Sequence, residues 1–383
     1  MDRNSGKEVY LHPTHDELSR QAFIIKFKQK VNFHLQDKIK NHFNNELKHD
    51  LELEIKESLD DLNREHRKLV KEKLSNEYLF KAWSSLTWLS QGMMWNCVED
   101  TIDHDLPRLN KLASEVLGRK KTQGSILLKD NFTPPSNIAK VEIHRQPGGF
   151  CYERDNEDFD IMAGARYTGG SMVYAAGKGR TAKAGYPPTP YLIEILEKEF
   201  GKQKPKRILD VGCGTGLATI SYAKHFPNSE VYGIDVAKGL LRWAHIKAES
   251  EDVPVNFIQM NSSEMDFENE SFDLVVSTIW GHETTPTILK DSISEIWRIL
   301  KPGGVSFHLD VPNQAGYQGL VDQVLNDWQI RNNGEPFWMG WADSDLASLM
   351  DLAGYPKESQ FKGYRSRPFG TGDWFVHGAK KPN

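Results

Sequence analysis

Cysteine is scarce in this 383-residue chain: only Cys97, Cys151 and Cys213 occur, and no two of them form a C-x-x-C pair. That pattern excludes a disulfide framework and a zinc–thiolate cluster as organising devices. Long apolar runs are missing as well. No stretch approaches the ~20 apolar residues that span a bilayer, and no apolar segment follows Met1–Asn4, so no membrane partner is expected and the cytoplasm is the expected location. Nor is positive charge in excess. Lys and Arg number 48 against 53 Asp and Glu, a net charge of −5, so no nucleic-acid partner is expected. Hydrophobic residues at 38% still suffice for a sizeable core.

Glycine is sparse over residues 1–125, which read as a helical domain. Thr14 and Glu17 make a capping-box pattern ahead of an apolar stripe at Ile24, Phe27, Val31 and Leu35. Residues 46–75 are dense in charge and read as a solvated helical pair. Leu79, Trp83, Leu86, Met93 and Cys97 then mark a more apolar helix, with Trp88 and Trp95 off that stripe. Two uses are open for these helices: a lid over a substrate, or the contact of a homodimer. Over 126–186, Pro134-Pro135, Pro147-Gly148-Gly149 and a scatter of glycines predict an irregular connector lying over the active site. Arg166, Tyr167 and Tyr174 are its candidate ligand contacts.

Over 187–383 strands and helices alternate, which predicts an α/β fold with a doubly wound, mainly parallel sheet. Seven strands are expected, near 207–211, 230–234, 255–259, 272–277, 305–309, 358–364 and 373–379. The first ends in Asp210-Val211-Gly212-Cys213-Gly214-Thr215-Gly216 and opens onto a helix. Glycines at that spacing let the backbone turn tightly and approach a ligand. The dinucleotide fingerprint would put its third glycine at 217, where Leu217 stands instead. Asp235 closes the second strand, 19 positions beyond Gly216, where a carboxylate can accept ribose hydroxyls.

The D-x-G-x-G-x-G run resembles motif I of the class I S-adenosylmethionine (SAM) dependent methyltransferases. Ser271–Ser277 and Glu295–Gly304 match the same family in order and spacing, so the resemblance covers about half the chain. It implies a Rossmann-like domain with SAM as cofactor, held by Asp210, Gly212, Gly214, Gly216, Asp235, Asn261, Ser262 and Ser277. Asn261 stands where the family usually has an acidic residue against the adenine; its side-chain oxygen can still accept.

The acceptor should lie beyond the fourth and fifth strands. His282 is the first candidate for a general base, followed by Glu283 and Asp310. Trp280, His308 and Trp338 join Tyr167 and Tyr174 as candidate substrate contacts. His282, His308 and Asp310 can also be read as a metal triad, but no metal is expected. An insertion at 312–341 carries Tyr317, Trp328, Phe337, Trp338 and Trp341, which would line an acceptor pocket or cap the N-terminal helices. The expected activity is methylation of a small organic molecule. A protein or RNA acceptor, and a non-catalytic SAM-binding module, remain as alternatives.

Overall fold

The computed structural model describes residues 9–154, 159–177, 189–313, 318–367 and 372–383. Residues 155–158 and 178–186 of the connector and Tyr317 lie outside them. All seven expected strands form, and an eighth joins at one edge. Strands β1 (Ser125–Leu127), β2 (Arg207–Val211), β3 (Glu230–Asp235), β4 (Asn256–Gln259), β5 (Phe272–Thr278), β6 (Leu300–Asp310), β7 (Gln360–Ser366) and β8 (Asp373–Lys380) lie in the order β1-β4-β3-β2-β5-β6-β8-β7. The sheet is parallel from β1 through β6, and β8 runs antiparallel to both β6 and β7.

The sheet is thus eight-stranded rather than seven-stranded, and the extra member lies at the boundary between the helical domain and the connector. Ser125–Leu127 is too short for an alternating pattern to show, and its place is dictated by its neighbour. Ser125 N–H donates to Val255 O at 3.0 Å, and a Cβ on Gly124 would stand 2.1 Å from that same oxygen. At the centre, β2 and β5 are buried on both faces, as their near-continuous apolar runs Ile208-Leu209 and Leu274-Val275-Val276 require. Because β2 has β3 on one side and β5 on the other, a crevice opens beyond its carboxyl end.

The N-terminal helices begin as the sequence predicts. Thr14 Oγ1 accepts from Glu17 N–H at 3.3 Å while the Glu17 carboxylate accepts from Thr14 N–H at 2.8 Å. The helix continues to Ile55 through two π-helical stretches, Lys30–Leu35 and Phe43–Leu47. A 40-residue helix, Tyr78–Leu117, then crosses the molecule. The insertion is tied to this helical half. Helix Leu320–Asp327 buries Leu320, Val321 and Val324 in the same cluster as Val70, Leu74 and Trp83, and the Trp83 and Trp328 rings are 4.6 Å apart. Capping the helices is therefore what Trp328 does. Among the described residues no helix is long and apolar enough to cross a membrane.

The connector is not irregular throughout, contrary to the expectation for 126–186. Met162–Gly177 is a 16-residue helix packed between the long helix and helix Lys238–Ser250. Its glycines signal close packing, not a loop. A Cβ on Gly164 would lie 2.3 Å from Trp243 Cβ, and one on Gly169 2.6 Å from Val98 Cγ1. Arg166, on this helix, forms a two-pronged ion pair with Glu99, both contacts at 2.8 Å, so its role is to fasten the two helices. Gly164→Val should destabilise the fold by about 1–3 kcal/mol, the range for overpacking a tight contact. Urea unfolding of the variant beside the parent protein checks this.

Candidate functional site

The glycine loop after β2 and the tip of β3 build one wall of a cleft. Gly212, Gly214 and Gly216 all have positive φ, at 66°, 53° and 75°. A Cβ on Gly212 would strike the Trp280 ring at 2.0 Å, whereas one on Gly214 would meet no atom within 4 Å, because that position faces open space. Gly214 N–H donates to Asp235 Oδ2 at 2.9 Å and Ala237 N–H to Asp235 Oδ1 at 3.0 Å. Burial raises the pKa of Asp235, and these backbone donors oppose that rise. Asp210 sits beneath the loop, its Oδ2 accepting from Thr219 Oγ1 at 2.6 Å.

Two cavities occupy the crevice. The first, about 770 Å³ including its open mouth, is lined by Gly212, Gly214, Asp235, Asn261, Ser262, Trp280 and Glu283. The second, about 1500 Å³ on the same basis, is lined by Asp210, Thr215, Trp95, His144, Tyr174 and Thr278. Both are bordered by Tyr167, Gly212, Gly214 and Ile279. Ile279 holds a φ of 58°, a costly conformation for a β-branched residue, at the junction of the two spaces.

A row of buried and half-buried ionisable groups runs alongside. His282 Nδ1 lies 2.6 Å from Asp310 Oδ1, and its Nε2 lies 3.4 Å from Glu283 Oε1. The same Glu283 oxygen is 2.9 Å from His144 Nε2, and His144 Nδ1 is 2.5 Å from Glu335 Oε1. Burial alone would lower both histidines. The flanking carboxylates outweigh it, holding His282 well above its ordinary value and His144 at about 10. Burial would raise Glu283, but the two imidazoles win and keep it ionised; in Glu335 burial prevails and the carboxyl is raised. The His144 side chain remains 31% accessible because it faces the second cavity.

Residues 208–304 match the methyltransferase domain family. A methyltransferase-like protein of Geobacillus sp. is 36% identical over 164 residues, and the match spans 42% of this chain and 62% of that one, less than two thirds of the relative. A demethylmenaquinone methyltransferase of Staphylococcus aureus is 37% identical over 190 residues, 47% of this chain and 78% of that one. The chain belongs to the class I SAM-dependent methyltransferases. A solved methyltransferase-like protein of Bacillus halodurans superposes at a TM-score of 0.40 with 19% identity, over 51% of this chain and 99% of that one.

SAM is the cofactor of this family, and the cleft fits it. Gly214 leaves space where any side chain would intrude, and the Asp235 carboxylate borders that space with lone pairs to spare. Most of the expected cofactor positions converge there. Asp210, Gly212, Gly214, Asp235, Asn261 and Ser262 line one cavity or the other. Gly216 and Ser277 do not. A Cβ on Gly216 would lie 2.9 Å from Ala244 Cβ, so this glycine serves packing beneath the loop. Ser277 is buried in β5 and pairs with His308, Oγ to Nδ1 at 2.8 Å; its neighbour Thr278 reaches the cavity instead, as strand alternation dictates.

The acceptor-side candidates divide in the same way. Tyr167, Tyr174 and Trp280 border the cavities. His308 does not: its ring stacks on His377 at 4.9 Å, and burial pushes its pKa down to about 3. Its Nδ1 is taken by Ser277, and among the described residues it does not converge with His282 and Asp310 as the metal triad requires. Trp338 stands edge-on to His282 at 5.4 Å, behind the cavity wall. Of the three catalytic candidates, Glu283 lines a cavity while His282 and Asp310 stand behind it.

Sequence reasoning missed His144 and Glu335. The only local signals were a histidine just before Pro147-Gly148-Gly149 and an acid inside the aromatic insertion. His144 is fixed by long-range bonds. Its carbonyl accepts from Gln91 Nε2 at 2.9 Å and Trp95 Nε1 at 2.8 Å, and its N–H donates to Gly334 O at 2.8 Å.

Two outcomes follow from this geometry. Asp235→Ala should weaken SAM binding about 10- to 100-fold, roughly the 1.5–3 kcal/mol of hydrogen bonds to a charged group, in a calorimetric titration. Burial also pushes the Asp210 carboxyl from 3.8 up to about 7. A folded-state value above the unfolded one means that this carboxyl penalises folding fully above about pH 7 and progressively less as pH falls toward its unfolded value. Asp210→Asn keeps an acceptor for Thr219 and removes the charge. Its stability relative to the parent should therefore rise between about pH 5 and pH 8, as urea melts at the two pH values would show.

Proposed function

We propose that the protein transfers the methyl group of SAM to a small organic acceptor held between the cofactor cleft and the helical half. The observation that carries this reading is the shared border of the two cavities at Tyr167, Gly212, Gly214 and Ile279. Through it, the space beside Asp235 and Asn261 adjoins one walled by Trp95, Tyr174 and His144. Mixed aromatic and polar walls suit an organic molecule with a few polar groups.

SAM supplies a methyl group already activated on a sulfonium, so the protein's task is alignment and exclusion of water. Asp235 would accept the ribose hydroxyls, with Asn261 and Ser262 beside the adenine. Tyr167 stands at the junction, and burial keeps its hydroxyl protonated as a hydrogen-bond donor. Glu283, kept ionised by His144 and His282, lines the first cavity together with Asp235 and can accept a hydrogen bond from an acceptor hydroxyl or amine that reaches in across the shared border. His282 then positions Glu283 and does not touch the acceptor.

The relative named for demethylmenaquinone agrees with an organic acceptor. A macromolecular acceptor finds less support, because the net charge is −5 and three lysines of the N-terminal helices are paired, Lys40 with Asp322, Lys73 with Glu54 and Lys71 with Asp327. Incubation with methyl-labelled SAM and size-separated cell extract tests the reading. Label should pass to the small-molecule fraction, and Asp235→Ala should reduce the transfer. Label held by protein or RNA overturns the small-acceptor reading, and SAM binding without turnover in any fraction would favour a binding module.

A further inference from the structure

Lys28 is a buried ammonium with no carboxylate to balance it. The residue is 7% exposed, and its Nζ donates to Gln91 Oε1 at 2.6 Å. Among the described residues no carboxylate stands within ion-pair distance, and the charged neighbour that acts on it is a second cation, Arg145. Burial and Arg145 lower its pKa to about 8, so most of the group is charged at neutral pH. An ammonium taken out of water is costly unless it is paired. Gln91 is neutral and does not supply that pairing. Its Oε1 also accepts from the Tyr174 hydroxyl at 2.9 Å, and its Nε2 is committed to His144 O.

This charge lies one side chain behind the wall of the second cavity. Tyr174 belongs to that wall, Lys28 Nζ stands 5.5 Å from its ring centroid, and both side chains reach the same Gln91 oxygen. The rest of the wall offers little to oppose it. Its described lining includes one carboxylate, Asp210, which burial raises to about 7 at the cofactor loop. Of the two cations in that lining, His144 is matched by Glu283. Lys247 shares a single carboxylate, Glu251, with Lys224, at 2.8 and 2.6 Å. Where water is excluded, such charges act over several ångströms with little screening.

We propose that the acceptor is an aromatic carboxylic acid whose carboxylate lodges in the second cavity beside Tyr174, with Lys28 as the opposing charge. This names the substrate class for the methyl transfer proposed above and rests on that reading. The flat walls of Trp95, Tyr167 and Tyr174 suit a ring. A lone ammonium suits a monoanion, whereas phosphate dianions are ordinarily met by forked arginines or a run of backbone N–H groups. Lys28 acts through the Tyr174 wall as a positioning residue and takes no part in the transfer.

Full-length protein saturated with S-adenosylhomocysteine, so that the cofactor's own carboxylate is in place, is titrated calorimetrically with benzoate and cinnamate and with their neutral amides. At least one acid should bind about tenfold more tightly than its amide. Lys28→Met should cut that preference at least about fivefold while leaving the affinities for amide and S-adenosylhomocysteine unchanged. The variant should melt no earlier than the parent protein, because it removes an unbalanced buried charge. Acids that bind no better than amides, or not at all, overturn the proposal, as does a preference that Lys28→Met retains. Loss of acid and amide binding alike marks Lys28 as a packing residue and also overturns it. Acid binding seen only without S-adenosylhomocysteine belongs to the cofactor's carboxylate and has the same consequence. If S-adenosylhomocysteine itself fails to bind, the methyltransferase reading falls, and the acid–amide comparison on the protein alone still decides the anion site.

Discussion

The peptide of His144 is the tie on which the acceptor side depends. Its carbonyl takes hydrogen bonds from Gln91 and Trp95 on the long helix, and its N–H reaches Gly334 in the insertion. Its side chain meets Glu283 beyond β5 and Glu335. Helical half, connector, insertion and sheet thus meet at one residue. The backbone there is bent to match, with φ of 56° at His144 and 57° at Arg145. Such conformations persist only where surrounding contacts over-determine them. Here the contacts do so: five contacts from three segments, three to the peptide and two to the ring, fix one residue.

The two halves of the site are consequently held by different physics. The cofactor side rests on backbone geometry, namely glycines that turn with positive φ and a carboxylate at a strand tip bonded to their N–H groups. These features need little beyond β2, β3 and the connection between them. The acceptor side rests on side chains brought together from distant parts of the chain, and on burial that strengthens every charge–charge contact among them. Buried pairs of this kind are costly to leave half-made. The helical half therefore completes the site by delivering Gln91 and Trp95, which hold His144, in addition to covering it.

That difference explains what could be read from the sequence. The glycine loop, Asp235 and the alternation of strands and helices are local patterns, and each appears where its spacing placed it. Helix Met162–Gly177 was hidden because Gly164, Gly169 and Gly170 look like loop residues until Trp243, Val98 and Trp95 are seen pressed against them. Strand β1 was hidden because three residues carry no period. Ser277 and His308 were legible as strand residues, but which face meets the cavity depends on a register that only the assembled sheet reveals. His144 and Glu335 had no legible signal. Their meaning lies in a distance of 2.5 Å across almost two hundred positions of chain.

The junction between the cavities places a geometric limit on the chemistry. Methyl transfer needs the acceptor atom in line with the cofactor's methyl group, so the two ligands must meet at a narrow common border. Tyr167, Gly212, Gly214 and Ile279 form the border between the two cavities, and on the function proposed above that is where the two ligands meet. Gly212 can sit there only because it lacks a Cβ, which would collide with Trp280, and Ile279 only by accepting a strained φ. Both features draw Trp280 against the glycine loop, and the chain then turns directly to Glu283 within three residues. The position of the Glu283 carboxylate is thus set by the same contact that shapes the cofactor loop. A substitution that relaxed Trp280 would therefore disturb cofactor and acceptor sides together.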